Sequence, residues 1–156
     1  MPASPALTAE SLGAWLLKVN PAAGALAELV GTGFENVATR CVRPSYRTEL
    51  VATGQPVLLW VSGGDPRYPR GIHAHGRTTG PVVDGPEGPV MPVQLRPLDP
   101  IVLREELRAH SELSGLEVLR MPAGSNPSYL DRTQYAALCA AFPQVDHRVR
   151  PGVGTA

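Results

Sequence analysis

The most conspicuous chemical pattern in the sequence is a pair of histidines one residue apart, His73 and His75, in the stretch RGIHAHG. In an extended strand, residues i and i+2 point to the same side. The two imidazoles should therefore project together, while Ile72 and Ala74 project the other way. Such a pair could be half of a metal site on the wall of a β-barrel.

The other ligands that a site of this kind needs are missing from the neighbourhood. A glutamate and a third histidine normally complete it, but the first acids after the pair are Asp84 and Glu87. His110 falls in a polar helical segment and His147 in a terminal stretch. We therefore expect no metal and no cofactor. Either both histidines lie on the polar face of a strand, or His73 lines a ligand pocket.

The second candidate for chemistry is Lys18, the only lysine among 14 basic residues. A lysine at the end of a buried strand can have a lowered pKa and act as a base or nucleophile, here with Thr39 and Glu49 as helpers. It could equally face solvent, form a salt bridge, or donate a hydrogen bond to a ligand. The sequence contains no GxSxG, GxGxxG or Walker motif, so we do not expect an enzyme.

The charge pattern is neutral overall and uneven along the chain. A net charge of zero argues against a protein that coats nucleic acid through phosphate contacts alone. Residues 36–83 hold six arginines against two acids, whereas residues 84–117 hold seven acids against three arginines. This distribution favours one basic and one acidic face, although solvated charges scattered over the surface would fit it too.

Composition restricts the class of protein. There is no apolar run of 18 residues and no basic-then-apolar N-terminus, so we expect no membrane partner and no signal peptide. Cys41 and Cys139 stand far apart without a CxxC motif, which favours two buried, reduced thiols and a cytoplasmic location.

The elements that must position these residues are short. Seventeen prolines and 16 glycines favour brief strands and turns over long helices. The pattern predicts an α+β fold, a small curved β-barrel of about five or six strands with short helices packed at its rim. Strands are predicted at 14–20, 36–42, 57–62, 71–79 and 90–98, with a loop at 80–89 and mostly loop at 111–130. Helices are predicted at 22–30 and 103–110, a brief helix or turn at 44–52, and a last helix after Asp131, with Gln134 completing a capping box.

Several motifs in order resemble the EVE domain of the PUA-like superfamily, a relative of YTH and ASCH domains. WLLKVNP at 15–21 resembles its first strand, GQPVLLWVSG at 54–63 its glycine turn and second motif, and GIHAHGRTTG at 71–80 its glycine-bounded strand. The C-terminal third, with GSN at 124–126 before a capped helix, is similar as well. The resemblance covers about residues 13–142 as one domain, and leaves 1–12 and 143–156 as loosely ordered termini.

The resemblance implies a pocket that accepts a flipped, modified nucleobase. Arg67, Arg70 and Arg77 could contact the flanking phosphates, or be solvated loop residues. Val19 and Asn20 depart from the serine and glutamate that are common in the family. The ligand-binding residues implied by the motifs are Trp15, Lys18, Val19, Asn20, Trp60, Ser62, Ser125 and Asn126, with Trp60 the better aromatic candidate and His73 on the adjoining strand.

Three functions follow as alternatives. The leading one is a non-catalytic module that binds a modified base in DNA or RNA. The second is a small hydrolase of ASCH type, centred on Lys18, that removes an acyl group from a modified nucleoside. The third is a protein-interaction scaffold whose pocket is vestigial.

Overall fold

The computed structural model describes residues 6–20, 39–63 and 66–146. The predicted helix at 22–30 lies outside these ranges, as does the first half of the predicted strand at 36–42.

A strongly curved sheet dominates the structure, as the α+β prediction requires. Its six-strand path runs β2-β6-β4-β3-β1-β7, and the short β5 pairs with β6 beside it. Among the described strands, β1 and β3 form the only parallel pair. The strands are β1 (Leu12–Val19), β2 (Thr39–Cys41), β3 (Pro56–Val61), β4 (Gly71–Thr78), β5 (Val83–Gly85), β6 (Gly88–Leu103) and β7 (Ser128–Asp131).

Strands β1 and β3 are apolar on both sides because the sheet has a core on each face. Trp15 and Leu17 alternate with Ala14 and Leu16, and the two sets fall into separate buried clusters. We call the cluster around Trp15 the inner core, since the curved sheet encloses it, and the opposite cluster the outer core. Continuous apolar runs are expected for strands buried on both faces.

Strand β4 explains the glycines that bound the histidine pair. A Cβ at Gly71, whose φ is +153°, would collide with the carbonyl oxygen of Val102, and one at Gly76 would collide with that of Gln94. Both positions lie opposite β6. Glycine is therefore required where β4 and β6 approach each other closely.

The predicted alternation around the histidines is wrong at His73. The register between β3 and β4 shifts there, because Leu59 pairs with Ala74 while the next residue, Trp60, pairs with Ile72. His73 is the extra residue of this bulge, and Ile72 joins the outer core while Ala74 joins the inner core. A bulge breaks the period of two on which the prediction depended.

Strand β6 is much longer than the predicted 90–98. It pairs first with β2 and β5 and later with β4, so the GPVVDGPEGP segment forms a hairpin rather than a loop. Pro92 predicts an edge or a strand end, and it pairs with Thr39 of the short edge strand β2. Pro97 and Pro100 lie where the register with β4 jumps opposite His73, and proline is tolerated at such irregularities.

In the described part of the chain, three α-helices cover the outer core, namely α1 (Arg104–Ala109), α2 (Glu117–Arg120) and α3 (Arg132–Ala141). The capping box predicted for α3 is confirmed, because Gln134 N donates to Asp131 Oδ1 at 2.8 Å and Asp131 N donates to Gln134 Oε1 at 3.0 Å. The brief helix predicted at 44–52 is a 3₁₀ helix, Tyr46–Leu50. The segment at 111–130 is mostly without helix or strand, as predicted, and is interrupted by helix α2 and the start of β7.

Packed structure extends past both ends of the predicted domain. Leu7 is buried in the inner core, and Val145, in a 3₁₀ helix at Pro143–Val145, is buried in the outer core. Cys41 is exposed, contrary to prediction, because β2 is an edge strand, while Cys139 is half-buried; both are free thiols. No helix among the described residues could cross a membrane.

Candidate functional site

The two tryptophans of the motif strands lie on opposite sides of the sheet. Trp15 belongs to the inner core, is fully buried, and donates its indole N–H to Gln55 Oε1 at 2.7 Å. No ligand can reach it without opening the barrel. Trp60 belongs to the outer core and is 3% exposed, and that small exposed part faces a cavity.

This cavity, which we call the arginine cavity, has a volume of about 470 Å³. It opens where β3 ends and where the helical cover of the outer core begins. None of the described residues that line it is acidic. The residues that line it are Trp60, Ser62, Gly63, Arg70, Arg104, Arg108, Val118, Leu119, Pro122 and Ala123.

Backbone pairing brings the arginines together from distant parts of the sequence. Arg104 N donates to Arg70 O at 2.9 Å, which continues the ladder between β4 and β6 beyond Gly71. Arg108 follows Arg104 by one helical turn on α1, and residues at this spacing lie on the same helix face. The Arg70 guanidinium also donates to Gly63 O. The result is a cluster of positive charge in which, among the described residues, Arg104 pairs with the exposed Glu105, whose carboxylate lies 3.2 Å away.

Lys18 fastens the loop at 121–124 rather than facing an open cavity. Its ammonium group donates to Met121 O at 3.0 Å and to Gly124 O at 2.9 Å. Burial lowers the pKa of Lys18, while the Glu117 charge raises it and the Arg47 charge lowers it further. The catalytic helpers predicted for Lys18 do not join it, since among the described residues it makes no hydrogen bond to Thr39 or Glu49.

Asn126 completes the end of β1 with its side chain. Lys18 N donates to Asn126 Oδ1 at 2.8 Å, and Asn126 Nδ2 donates to Lys18 O at 3.1 Å. The amide thus takes the place of a neighbouring strand. Both its donor and its acceptor are engaged, which leaves Asn126 in a positioning role.

A second cavity of about 240 Å³, which we call the tyrosine cavity, lies on the other side of the same loop. Ser125 and Asn126 line it, so the structure separates them from Trp60 and Ser62. The described residues that line it are Arg43, Ser45, Tyr46, Arg47, Glu117, Met121, Gly124, Ser125, Asn126 and Pro127.

An ion pair forms one wall of the tyrosine cavity. Arg47 donates to both oxygens of Glu117, at 2.9 and 2.8 Å, and to Pro127 O at 3.0 Å. Ser128 Oγ donates to Glu117 Oε1 at 2.7 Å, and the Arg47 guanidinium stacks 4.8 Å from the Tyr129 ring centroid. Burial alone would raise the pKa of Glu117, but the hydrogen bonds from Arg47 and Ser128 and the nearby positive charges lower it.

The remaining predicted site residues lie apart from the two cavities. Val19 is buried in the inner core, and Asn20 is exposed just after β1. Arg67 lies over the Tyr68 ring at 5.4 Å. Arg77 is exposed near the far end of β4, roughly 20 Å along the strand from Arg70.

The histidines are committed to backbone carbonyls. His73 Nε2 lies 2.6 Å from Pro69 O, and His75 Nδ1 lies 2.9 Å from Val145 O. Burial lowers the pKa of His73, while the contact with Pro69 raises it. Within the described ranges, no group of three or more His, Cys, Asp or Glu side chains could hold a metal ion.

Sequence reasoning missed several residues that line the two cavities. The sequence predicts a charged, exposed helix at 103–110, and its spacing of four places Arg104 and Arg108 on one face of α1. No sequence motif marked Tyr46 as a candidate site residue. Nothing local in the sequence pairs Arg47 with Glu117, because 70 positions separate them.

No protein-family model matches the sequence, and a comparison with curated proteins finds no significant match. Solved structures do match. A hypothetical protein from Leishmania major aligns with a TM-score of 0.65 at 16% identity, over 88% of this chain and 98% of that chain. A protein from Rhodopseudomonas palustris, solved by NMR, aligns with a TM-score of 0.64 at 13% identity, over 90% and 99%.

A third structure, a protein from Pseudomonas syringae, aligns with a TM-score of 0.58 at 15% identity, over 82% of this chain and 98% of that chain. Identities this low establish a shared fold. The curved sheet with its short helices is therefore an architecture found in other proteins of similar length.

Proposed function

We propose that this protein is a non-catalytic module that binds nucleic acid and recognises a modified base through the arginine cavity. The observation that carries the proposal is the convergence of Arg70, Arg104 and Arg108 on a cavity of about 470 Å³, where none of the described lining residues is acidic. This volume lies in the range of ordinary ligand pockets. The preference for a modified base comes from the resemblance to EVE domains.

The chemistry of the lining suits a nucleotide. Guanidinium groups bind phosphate oxygens through paired N–H donors and stack on the planes of bases. Phosphate contacts would hold the ligand without reading its sequence. The apolar part of the wall, with Trp60, Val118 and Leu119, would then receive the base.

In this proposal Trp60 does not act as the main surface on which a base stacks. At 3% exposure, the indole can offer only a small part of its surface to a base. Truncating it would open the outer core, so a loss of binding in Trp60→Ala would not separate recognition from folding. The exposed arginines are better probes.

The ammonium of Lys18 is a positioning group under this proposal. It donates hydrogen bonds to two loop carbonyls, and its positive charge lies close to both cavities. We also propose a cytoplasmic location, which suits two free thiols in a protein that meets nucleic acid.

The experiment is a titration with fluorescently labelled oligonucleotides that carry methylated cytosine, hydroxymethylated cytosine, methylated adenine or no modification. We expect one modified oligonucleotide to bind more tightly than its unmodified counterpart. Arg108→Gln should weaken binding to all of them and lower the slope of log K against log salt by about one. Negligible binding of every oligonucleotide would refute the proposal.

Arg77→Gln is the matched control. Arg77 is also an exposed arginine of β4 and its flanks, but it lies outside both cavities. We expect affinity within about twofold of the wild type, as for a surface change away from the ligand. Equal losses in Arg77→Gln and Arg108→Gln would indicate a diffuse basic surface instead of a pocket.

A further inference from the structure

The tyrosine cavity has features of a ligand site that the proposed function does not use. Tyr46 is 49% exposed, an unusual degree for a large aromatic residue on this protein. Its ring lines the cavity, and its hydroxyl accepts a hydrogen bond from Leu7 N at 3.2 Å. The ring is thus held in place while much of its surface remains open to solvent.

The charges around this cavity favour an anion. Arg47 and Glu117 neutralise each other through two hydrogen bonds, so neither supplies a net charge to the cavity. Arg43 adds an exposed guanidinium, and its backbone N–H donates to Asn126 O at 2.9 Å. That bond fixes the Arg43 backbone beside the loop, and the described lining residues carry one positive charge, that of Arg43, beyond the Arg47–Glu117 pair.

The two cavities share a single wall, the loop at 121–124. Met121 and Gly124 line the tyrosine cavity, whereas Pro122 and Ala123 line the arginine cavity. The Lys18 ammonium binds the carbonyls of Met121 and Gly124 and so holds both ends of the loop. One stretch of chain therefore separates an exposed aromatic ring with a guanidinium from a cluster of three arginines.

We propose that the tyrosine cavity is a second nucleotide subsite, and that the ligand is a single strand whose neighbouring unpaired nucleotides lie on either side of the loop at 121–124. This inference rests on the proposed function of the arginine cavity. Tyr46 stacks on the base of the second nucleotide, and Arg43 contacts a phosphate. A duplex would not serve, because its neighbouring bases are paired and stacked on each other, whereas a single strand can splay its bases onto protein rings.

The test compares Tyr46→Ala with Tyr46→Phe. Both lose the hydroxyl that binds Leu7, but only Tyr46→Ala loses the ring, so the pair separates stacking from the structural hydrogen bond. We expect Tyr46→Ala to weaken binding of a short single-stranded oligonucleotide by at least about fivefold, the lower end for loss of one base–aromatic stack. Tyr46→Phe should bind within about twofold of the wild type, since the ring is kept.

The ligand series distinguishes the two subsites. A mononucleotide occupies the arginine cavity alone, so Arg108→Gln should weaken its binding while Tyr46→Ala does not. The oligonucleotide should lose affinity in both variants. A duplex of the same sequence should bind more weakly than the single strand to the wild-type protein. Arg43→Gln keeps the backbone hydrogen bond to Asn126. It should weaken binding of the oligonucleotide and leave binding of the mononucleotide unchanged.

The outcomes separate failure of this inference from failure of the proposed function. If neither mononucleotide nor oligonucleotide binds the wild-type protein, both proposals fall. If the oligonucleotide binds and Arg108→Gln weakens it, but Tyr46→Ala and Arg43→Gln leave it unchanged, the arginine cavity stands and the second subsite is overturned. Equal binding of duplex and single strand also overturns it. Thermal unfolding of each variant establishes that it is folded at the temperature of the titration.

Discussion

The two faces of the curved sheet bury similar apolar side chains but are covered in different ways. The inner face, around Trp15, is enclosed by the curved sheet, and Leu7, Val42 and Val51 from outside the strands also pack into its core. The outer face, around Trp60, is closed by three short helices and the segments between them. Where that cover ends, the arginine cavity opens.

This difference indicates on which face of such a small barrel a ligand cavity can form. The inner core holds Trp15 and Leu17 at 0% exposure, and interiors packed at native density contain few voids larger than a water molecule. A face covered by separate short elements leaves gaps between them. The loop at 121–124, held by Lys18, is one such element and forms a wall of both cavities.

The largest expected effect on stability comes from a substitution in the inner core. Trp15→Ala should lower the free energy of unfolding by about 3–5 kcal/mol, as for other fully buried tryptophans, and should leave Gln55 without its indole donor. Urea denaturation followed by circular dichroism measures the change. A loss below about 1 kcal/mol, the size typical of surface changes, would mean that the inner core is not packed as described.

The next largest effect concerns the ion pair between Arg47 and Glu117, which joins helix α2 to the rest of the structure. Glu117→Gln removes the charge that Arg47 and Ser128 contact, and should cost about 2 kcal/mol at pH 7, within the range for hydrogen bonds to charged groups. Urea denaturation of the wild type and the variant gives the difference. Glu49→Gln, on the exposed surface, is the control and should change stability little.

The same pair predicts a pH dependence. The folded protein lowers the pKa of Glu117, so its contribution is complete above the unfolded-state pKa of about 4.3 and is lost as the pH falls through the folded value. The difference in stability between the wild type and Glu117→Gln should therefore shrink below about pH 4. A difference that stays constant down to pH 2 would contradict this assignment of the pair.

A smaller effect concerns the shared wall. Lys18→Met keeps most of the apolar side chain and removes the two hydrogen bonds to Met121 O and Gly124 O, which should cost roughly 1–2 kcal/mol. Amide hydrogen exchange at residues 121–124 should accelerate while exchange in β3 stays unchanged. Unchanged exchange in the loop would show that Lys18 does not hold it.

The smallest effect sharpens the contrast between the two tryptophans. Trp60→Phe keeps an aromatic ring in the outer core and should cost about 1 kcal/mol. Trp15→Phe should cost more, because it also removes the hydrogen bond to Gln55. Denaturation of the two variants under identical conditions compares them, and an equal or reversed order would contradict the asymmetry between the faces.

Much of the fold was predictable because it rests on local signals. The apolar run through Leu17 and the run before Trp60 predicted β1 and β3, and Asp131 with Gln134 predicted the start of α3. The long β6 and the hairpin with β5 were not predictable, since prolines usually end strands and only pairing with β2 and β4 reveals how they are tolerated. The bulge at His73 likewise depends on two neighbouring strands.

The candidate site was predictable in part. Trp60, Ser62 and Arg70 do meet, because the end of β3 and the start of β4 are neighbours in a hairpin. Arg104 and Arg108 could have joined them had the pairing of β4 with β6 been known, because that pairing places the start of α1 beside Arg70.

The sequence by itself determined which residues are apolar, where the chain turns, and that the only lysine ends a buried strand. The tertiary structure alone decided which side of the sheet each tryptophan occupies, that Lys18 binds loop carbonyls, and that one loop divides two cavities. The physical reason is that hydrophobic burial and turn chemistry act over a few residues. A cavity, in contrast, is defined by side chains from distant segments and by the gaps that packing leaves between them.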